Sequence, residues 1–534
     1  MLNKIFNPNF TTGLVRLLIP SLFFILACVF FLFPLASFLR EILDENSIQF
    51  LTSPQIRTAT VNSMMVSLVG ACLSLLVAVM AASLLIRLKT KYQVIFAFLL
   101  TWPMLLPSLS HGMGLIILFG NNSWIARVLS LDIHIYGFFG ILMGSLLYAL
   151  PVGFLMIFDI LKYEDRTKYA AAEILGIPKY SQFLRLELPY LKKPLIGVFF
   201  ALFCLILTDY GVPLMVGGRY QTLPVLMYTE TIGLLNYNKG AVIGLILLIP
   251  AVVAFLIDIK TGKDLERSDK NNTKLTIYRG KIKVLAIALL STISAYCLLP
   301  SFVFLFTSFV KKYPVDLTFS LENLYSTLDA GGLEYLINSL EIAFATSLIG
   351  VVFTTILAFY TSNTRGLCSR SLHFISLLSL AVPGLVLGLA YTLFFEASFL
   401  YGTLAILIFV NLAHFCASPY LMIYNFFEKV GQELEAVTRT LGIPKFRFFA
   451  DILIPMSLRT QIEMFVYFFV NSMVTISAVA FLSTVDNRPV SLMITQFEAQ
   501  MQIENAAIVS LLILSANLIL KLSSTFFKKY VTRT

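Results

Sequence analysis

The sequence predicts an all-α polytopic membrane protein, with about twelve transmembrane helices in two pseudo-twofold parallel halves. Three observations predict it. The 534-residue chain is 58% hydrophobic and 13% charged, with 47 phenylalanines and a mean hydropathy of +0.86, far more apolar than an average soluble domain. Its apolar residues gather in long runs. One phrase occurs twice: Leu175-Gly176-Ile177-Pro178-Lys179 and Leu441-Gly442-Ile443-Pro444-Lys445, followed by Pro189 and Pro455 at the same spacing, all at an offset of 266.

The runs are each long enough, at about 18 residues or more, to cross roughly 30 Å of hydrocarbon as helix. The first, 17–39, is long and is followed by eleven others, so it reads as an uncleaved helix and not as a signal peptide. Asn62-Ser63 opens the second, 60–86, and Pro107-x-x-x-x-Gly112 lies in the third, 93–119. Tyr136-Gly137 opens the fourth, 136–160. The fifth, 194–216, carries Thr208, Asp209 and Tyr210 just before Gly211 and Pro213, which are expected to break its helix. The sixth, 240–258, closes the first half, 1–259. A segment rich in Lys, Asp, Asn and Thr, 260–283, reads as a linker. The second half, 284–534, repeats the series at 284–309, 337–360, 371–395, 401–425, 461–484 and 506–526. Continuous apolarity favours helices over barrel strands, which alternate.

The duplication is detailed. Asn338-Ser339 and Pro383-x-x-x-x-Gly388 repeat their first-half counterparts at an offset of 276. Tyr401-Gly402, Leu421-Met422-Ile423 and Pro489-Val490 answer Tyr136-Gly137, Leu155-Met156-Ile157 and Pro224-Val225 at 265 or 266. The first half therefore carries an insertion of about ten residues, from Asn121-Asn122-Ser123-Trp124 onward. Six crossings per half make the repeats parallel, related by an axis along the membrane normal.

Lysine and arginine set the orientation. With the N-terminus inside, only eight of the 39 lie outside (Arg40, Arg57, Arg127, Arg219, Lys239, Lys311, Lys312, Arg488), leaving 31 inside or at the inner boundary. Both termini are then cytoplasmic. The net charge of +10 needs no nucleic acid, because basic inner loops face anionic headgroups. The six cysteines are scattered, with no Cys-x-x-Cys pair, and read as small apolar fillers. No cluster has metal-ligand spacing, and no Gly-x-x-x-x-Gly-Lys-Ser/Thr string is present. The chain is expected to hold no metal or cofactor and to be no ATPase by that motif.

The repeated polar element is expected to form two short helices. Tyr169-Ala170-Ala171-Ala172-Glu173-Ile174-Leu175 favours helix, Gly176 ends it, Pro178 suits the first turn of a second helix, and Pro189 ends that one. The second copy, Glu435-Ala436-Val437-Thr438-Arg439-Thr440-Leu441-Gly442, is similar, with Phe446 and Phe449 for packing. One copy alone is also compatible with an ordinary helical hairpin, whereas two matched copies favour docking of a symmetric partner.

These elements resemble the cytoplasmic loop of the membrane subunits of bacterial type I ABC importers, where a Glu-Ala-Ala stretch precedes Leu-Gly and then Leu-Pro or Ile-Pro. The resemblance places Ala171, Ala172, Leu175, Gly176 and Pro189, and Leu441, Gly442 and Pro455, on the family motif. Glu173, Pro178, Glu435, Ala436 and Pro444 complete the expected coupling loops. The motif's glutamate position holds Ala170 and Ala436, so which glutamate meets the ATPase stays open. The resemblance implies two ATP-binding subunits that use the ATP, an extracytoplasmic solute-binding protein, and a multi-pass place in a bacterial plasma membrane. A narrower resemblance, carried by Asp209-Tyr210-Gly211-Val212-Pro213, Ala381 to Tyr391 and Val470-Asn471-Ser472-Met473, is to fused permeases for 2-aminoethylphosphonate. Ferric iron, thiamine and polyamine permeases share parts of this vocabulary.

Polar groups within spans are the other functional signal, because charge there is costly. Thr208, Asp209 and Tyr210, with His414, Asn471 and Thr475, are the candidates for a translocation path. Each also has a plain reading: Asp209 as a helix cap, His414 and the uncharged groups as interhelical hydrogen-bond partners. Two other classes fit the sequence less well. An ion-coupled secondary transporter would carry charges near the midplane, where this chain is sparse, and an intramembrane enzyme would need a His-Glu-x-x-His or Gly-x-Ser-x-Gly constellation, which is missing.

Overall fold

The computed structural model describes residues 20–42, 49–121, 123, 126–127, 134–261, 277–364, 366–444 and 447–531. Most of the expected linker, Asn122 and Trp124 of the insertion, and Lys445 and Phe446 lie outside the described residues. For Glu435 and Ala436 the helical backbone alone is described.

In chain order the helices are α1 (Pro20–Glu41), α2 (Pro54–Ile86), α3 (Thr90–Leu100), α4 (Ser108–Phe119), α5 (Phe138–Lys162), α6 (Thr167–Ile174) and α7 (Lys179–Leu207). Then come α8 (Gly211–Val216), α9 (Leu223–Tyr228), α10 (Tyr237–Thr261), α11 (Gly280–Ser308) and α12 (Glu322–Asn363). The rest are α13 (Leu367–Leu378), α14 (Gly384–Phe395), α15 (Leu404–Phe415), α16 (Ala417–Thr440), α17 (Phe448–Val474), α18 (Met493–Ala499) and α19 (Ile503–Val531). Two short antiparallel strands, β1 (Val310–Lys312) and β2 (Asp316–Phe319), follow α11. The protein is an all-α polytopic membrane protein.

Among the described residues, nine helices are long and apolar enough to cross a membrane, and the pair Leu404–Phe415 and Ala417–Val430, bent by 54°, supplies a tenth. The expected spans 93–119 and 371–395 differ from the continuous helices that apolarity alone implies. Each is two short helices, α3 with α4 and α13 with α14. The break falls at the repeated proline: Leu106 before it is extended (φ −116°, ψ 146°), and Pro107 and Pro383 stand as caps at φ near −60°. Proline pushes its predecessor out of the helical region and offers no N–H. The expected fifth span also ends earlier than Gly211. Helix α7 stops at Leu207, and Gly211 and Pro213 open α8 instead.

The chain forms two compact units. One comprises Ile48–Ala330 and Met493–Leu512, the other Met1–Ser47, Gly331–Leu492 and Ile513–Thr534. In the first, α2 packs along α5 and α7, and α4 packs on α8 and α11. Ser53 caps α2 by accepting the Ile56 N–H, with Pro54 in the first turn. The repeated Asn-Ser pair has a purpose here: Asn62 Nδ2 donates to the Gln221 carbonyl (2.9 Å) and Ser63 Oγ accepts the Leu223 N–H (2.7 Å), tying α2 to the start of α9. Gly112 lets α4 meet α8, since a Cβ there would lie 2.6 Å from Met215 Cβ.

The second unit repeats these contacts. Asn338 Nδ2 donates to the Asp486 carbonyl (3.1 Å), and Ser339 Oγ accepts the Val490 N–H (2.8 Å). A Cβ on Gly388 would lie 2.7 Å from the Ala478 carbonyl oxygen, and Ala478 stands at the repeat position of Val212. Helix α12 packs on α16 and α17, and α14 on α1.

Candidate functional site

The two Leu-Gly-Ile-Pro phrases fold alike. In the first, the Ile177 N–H bonds to the Ala172 carbonyl and the Gly176 N–H to the Glu173 carbonyl, both at 2.9 Å, with Gly176 at φ +69°. This is the paired capping pattern that closes a helix through a left-handed residue. In the second, the Ile443 N–H bonds to the Thr438 carbonyl at 2.9 Å and Gly442 sits at φ +65°. Among the described residues, and leaving aside the immediate chain neighbours, no atom lies within 4 Å of a Cβ placed on either glycine. Glycine is needed here for its conformation, not for space.

Apolar side chains crown both turns. Ile174 is 88% exposed and Leu175 76%, with Tyr180 and Pro178 also uncovered; in the second copy Leu441 is 69% exposed, beside Val437 and Pro444. Of the other expected residues, Ala171 is exposed, Ala172 is buried, and Glu173 pairs with Lys179 across the turn.

The expected second short helix is not short. Helix α7 runs from Lys179 through Pro189, and α17 through Pro455. Immediately before each proline the helix widens into a π-turn, Phe183–Glu187 and Phe448–Leu453, in which the Leu188 N–H reaches the Phe183 carbonyl and the Ile454 N–H the Phe449 carbonyl. The wide turn makes room for a ring that cannot donate. The two copies differ on their other side. Helix α6 is separate from α5, which ends at Lys162, whereas α16 runs unbroken from Ala417 to Thr440.

Beneath the first turn lies a buried charged cluster. Arg87, at the end of α2, pairs with Glu187 of α7 at 2.6 Å, their side chains 4% and 2% exposed. The Arg87 guanidinium lies over the rings of Tyr169 of α6 (5.5 Å) and Tyr278 before α11 (5.9 Å), and the Tyr278 N–H bonds to the Arg87 carbonyl. Tyr169 Oη donates to Glu164 at 2.9 Å, and Lys168 pairs with Glu164 at 2.6 Å. Burial opposes the charge of Arg87, but Glu187, Tyr278 and Tyr169 outweigh it and its pKa is raised. Burial raises the Glu164 carboxyl against the lowering effect of Lys168 and Tyr169, and burial together with Glu164 and Glu187 raises the Tyr169 phenol.

The second turn stands on hydrocarbon. At the repeat offsets, Asn363, Val430, Leu434 and Leu453 occupy the places of Arg87, Glu164, Lys168 and Glu187. Leu453 is fully buried in a cluster with Leu357, Tyr420, Ile423, Phe427 and Phe448, against which Val430, Leu434, Ile443 and Phe449 pack. The Phe359 and Phe449 rings lie 4.3 Å apart. Sequence reasoning missed both mounts. The available signal was Glu187 between two leucines at a position the repeat fills with Leu453.

The expected path residues fall into separate settings. Thr208 Oγ1 donates to the Cys204 carbonyl of its own helix. Asp209 is buried, and its two oxygens accept the Gly211 and Val212 N–H groups, capping α8. Tyr210 is buried and stacks on Tyr228 at 5.1 Å. In the other unit, Asn471 Nδ2 donates to the Tyr467 carbonyl and the Thr475 carbonyl accepts from Ser491. His414 lies against Gly384 with Ser477, and one turn before it on α15 Asn411 is fully buried with neither amide atom partnered among the described residues.

Residues 74–259 and 350–534 both match the family described as binding-protein-dependent transport system inner membrane component. A ferric transport system permease protein of Haemophilus influenzae is 26% identical over 413 residues, 72% of this chain and 64% of its own length. One from Actinobacillus pleuropneumoniae is 25% identical over 412 residues, 72% of this chain and 59% of its own. The chain thus spans somewhat under two thirds of these relatives. A spermidine/putrescine transport system permease protein of Mycoplasma pneumoniae is 23% identical over 37% of this chain and 66% of its own.

Proposed function

Because the chain belongs to the family of binding-protein-dependent transport system inner membrane components, we propose that it forms the translocation path of an ATP-driven importer for a small polar solute. The observation that carries this reading is the pair of matched turns, each closed by a left-handed glycine and crowned by exposed aliphatic side chains. Exposed apolar groups at two repeat-matched positions favour a partner that also comes in two copies.

We place both turns and both termini in the cytoplasm, on the lysine and arginine bias, and an ATP-binding subunit on each turn. A solute-binding protein delivers the solute on the opposite face, so this chain need not hold it tightly. Closure of the ATPases moves the two sequence halves, 1–259 and 284–534, between inward-open and outward-open forms.

For the solute we propose 2-aminoethylphosphonate, on the segments Asp209 to Pro213 and Ala381 to Tyr391. Ferric iron is the second reading, favoured by the ferric permeases that match 72% of the chain. Uptake of labelled 2-aminoethylphosphonate by the reconstituted complex, with ferric iron and thiamine as competitors, separates the two. Saturable uptake that neither competitor reduces supports the phosphonate, and uptake of labelled iron alone replaces it. The transport reading itself is tested by Gly176→Trp combined with Gly442→Trp. Both glycines face open space among the described residues, so the bulk projects from the exposed turn where a partner would dock, and ATP-driven uptake is expected to stop. Unchanged assembly and transport in that variant contradict docking at the turns.

A further inference from the structure

The cluster beneath the first turn does more than fill space. Arg87 closes α2, Glu187 lies in the wide turn of α7, Tyr169 lies on α6 with Glu164 just before it, and Tyr278 leads into α11. One guanidinium thus joins the element that carries the exposed turn to three long membrane helices.

Stability alone does not explain the arrangement. A buried ion pair is often no more stabilising than apolar residues of similar volume, and the chain itself holds the apolar alternative: Val430, Leu434 and Leu453 support the second turn. Glu187 is also incompletely satisfied. Its Oε2 meets Arg87, while its buried Oε1 has no hydrogen-bond partner among the described residues. A close-packed apolar cluster transmits strain without directional bonds, whereas a guanidinium–carboxylate pair adds fixed directions and so couples orientation as well as displacement.

We propose that Arg87 and Glu187 are positioning residues that convert movement of the first turn into movement of α2, α7 and α11, and that the two ATPase docking elements therefore drive the membrane helices unequally. This rests on the transport reading above.

The test uses the full complex in vesicles, with labelled 2-aminoethylphosphonate and labelled ferric iron offered separately. ATP hydrolysis and uptake are measured together. In R87M/E187L, which gives the first mount the leucine of the second, the ratio of uptake to ATP hydrolysed is expected to fall at least about fivefold, the lower end of ordinary coupling between sites. Arg87→Lys, which keeps the charge but loses the planar fork, is expected to give an intermediate ratio. Should the double variant fail to reach the membrane, Glu187→Gln keeps the side-chain volume and is expected to give the same fall. An unchanged ratio overturns the proposal, as does an equal fall in Arg87→Lys, or loss of the ATPase subunits with the ratio of the remaining complexes unaltered. An unaltered complex that accumulates neither solute contradicts the transport reading and the joint with it, whereas ATP-driven uptake with unaffected variants contradicts the joint alone.

Discussion

The turns at Gly176 and Gly442 share a backbone, and their supports share almost nothing. Under the first, Arg87 and Glu187 meet at 2.6 Å among tyrosines, and α6 is cut from α5. Under the second, Leu453 packs among Phe427, Phe448 and Ile423, and α16 arrives as one uninterrupted helix. The difference separates two demands on a duplicated element. The exposed turn has to keep its shape, fixed by a left-handed glycine and its capping bonds. Holding that shape is a demand that either charge or hydrocarbon can meet, so the choice between them is left free for other ends.

Substitution of the supports probes the difference most strongly. Glu187→Ala leaves the Arg87 guanidinium buried without its counter-charge, so the unit should lose about 3–5 kcal/mol, read from denaturation midpoints in detergent. Leu453→Ala at the matching position removes packing and should cost about 2–4 kcal/mol. The two are distinguishable by chemistry: Glu187→Leu combined with Arg87→Met should recover much of the first loss, while no charge introduced at 453 recovers the second. Equal behaviour of the two supports would break the comparison.

The turns should respond equally. Gly176→Ala and Gly442→Ala each place a side chain at positive φ in open space, and each should cost about 1–2 kcal/mol. A large excess for either one would mean that a contact, and not the backbone, holds that turn. The smallest effect concerns pH. Burial raises the Glu164 pKa in the folded chain above its unfolded value, so the folded state binds the proton more tightly, and stability from this group rises as pH falls through the folded pKa towards the ordinary carboxylate range. Glu164→Gln should flatten that dependence. Val430 stands at the matching position, so the second support has no such contribution there.

Much of this was legible in the sequence, and the rest was not for identifiable reasons. Gly176, Gly442, Asn62-Ser63 and Gly112 repeat because each is needed by local geometry, and local geometry leaves a pattern at fixed spacing. Pro107 and Pro383 repeat as well, but a run of apolar residues hides the break they impose, and Pro189 and Pro455 read as helix ends because a π-turn that accommodates proline has no composition of its own. Arg87 and Glu187 are a hundred residues apart and were invisible as a pair, since only folding brings the end of α2 to the wide turn of α7.

Cross-linking at the two turns tests the central claim most directly. With cysteine at Leu175 in one variant and at Leu441 in another, both in a background without the native cysteines, each turn is predicted to cross-link to the ATP-binding subunit that copurifies with the chain, with yields that change when ATP is added. An assembled complex that hydrolyses ATP while neither turn cross-links would contradict docking at these elements.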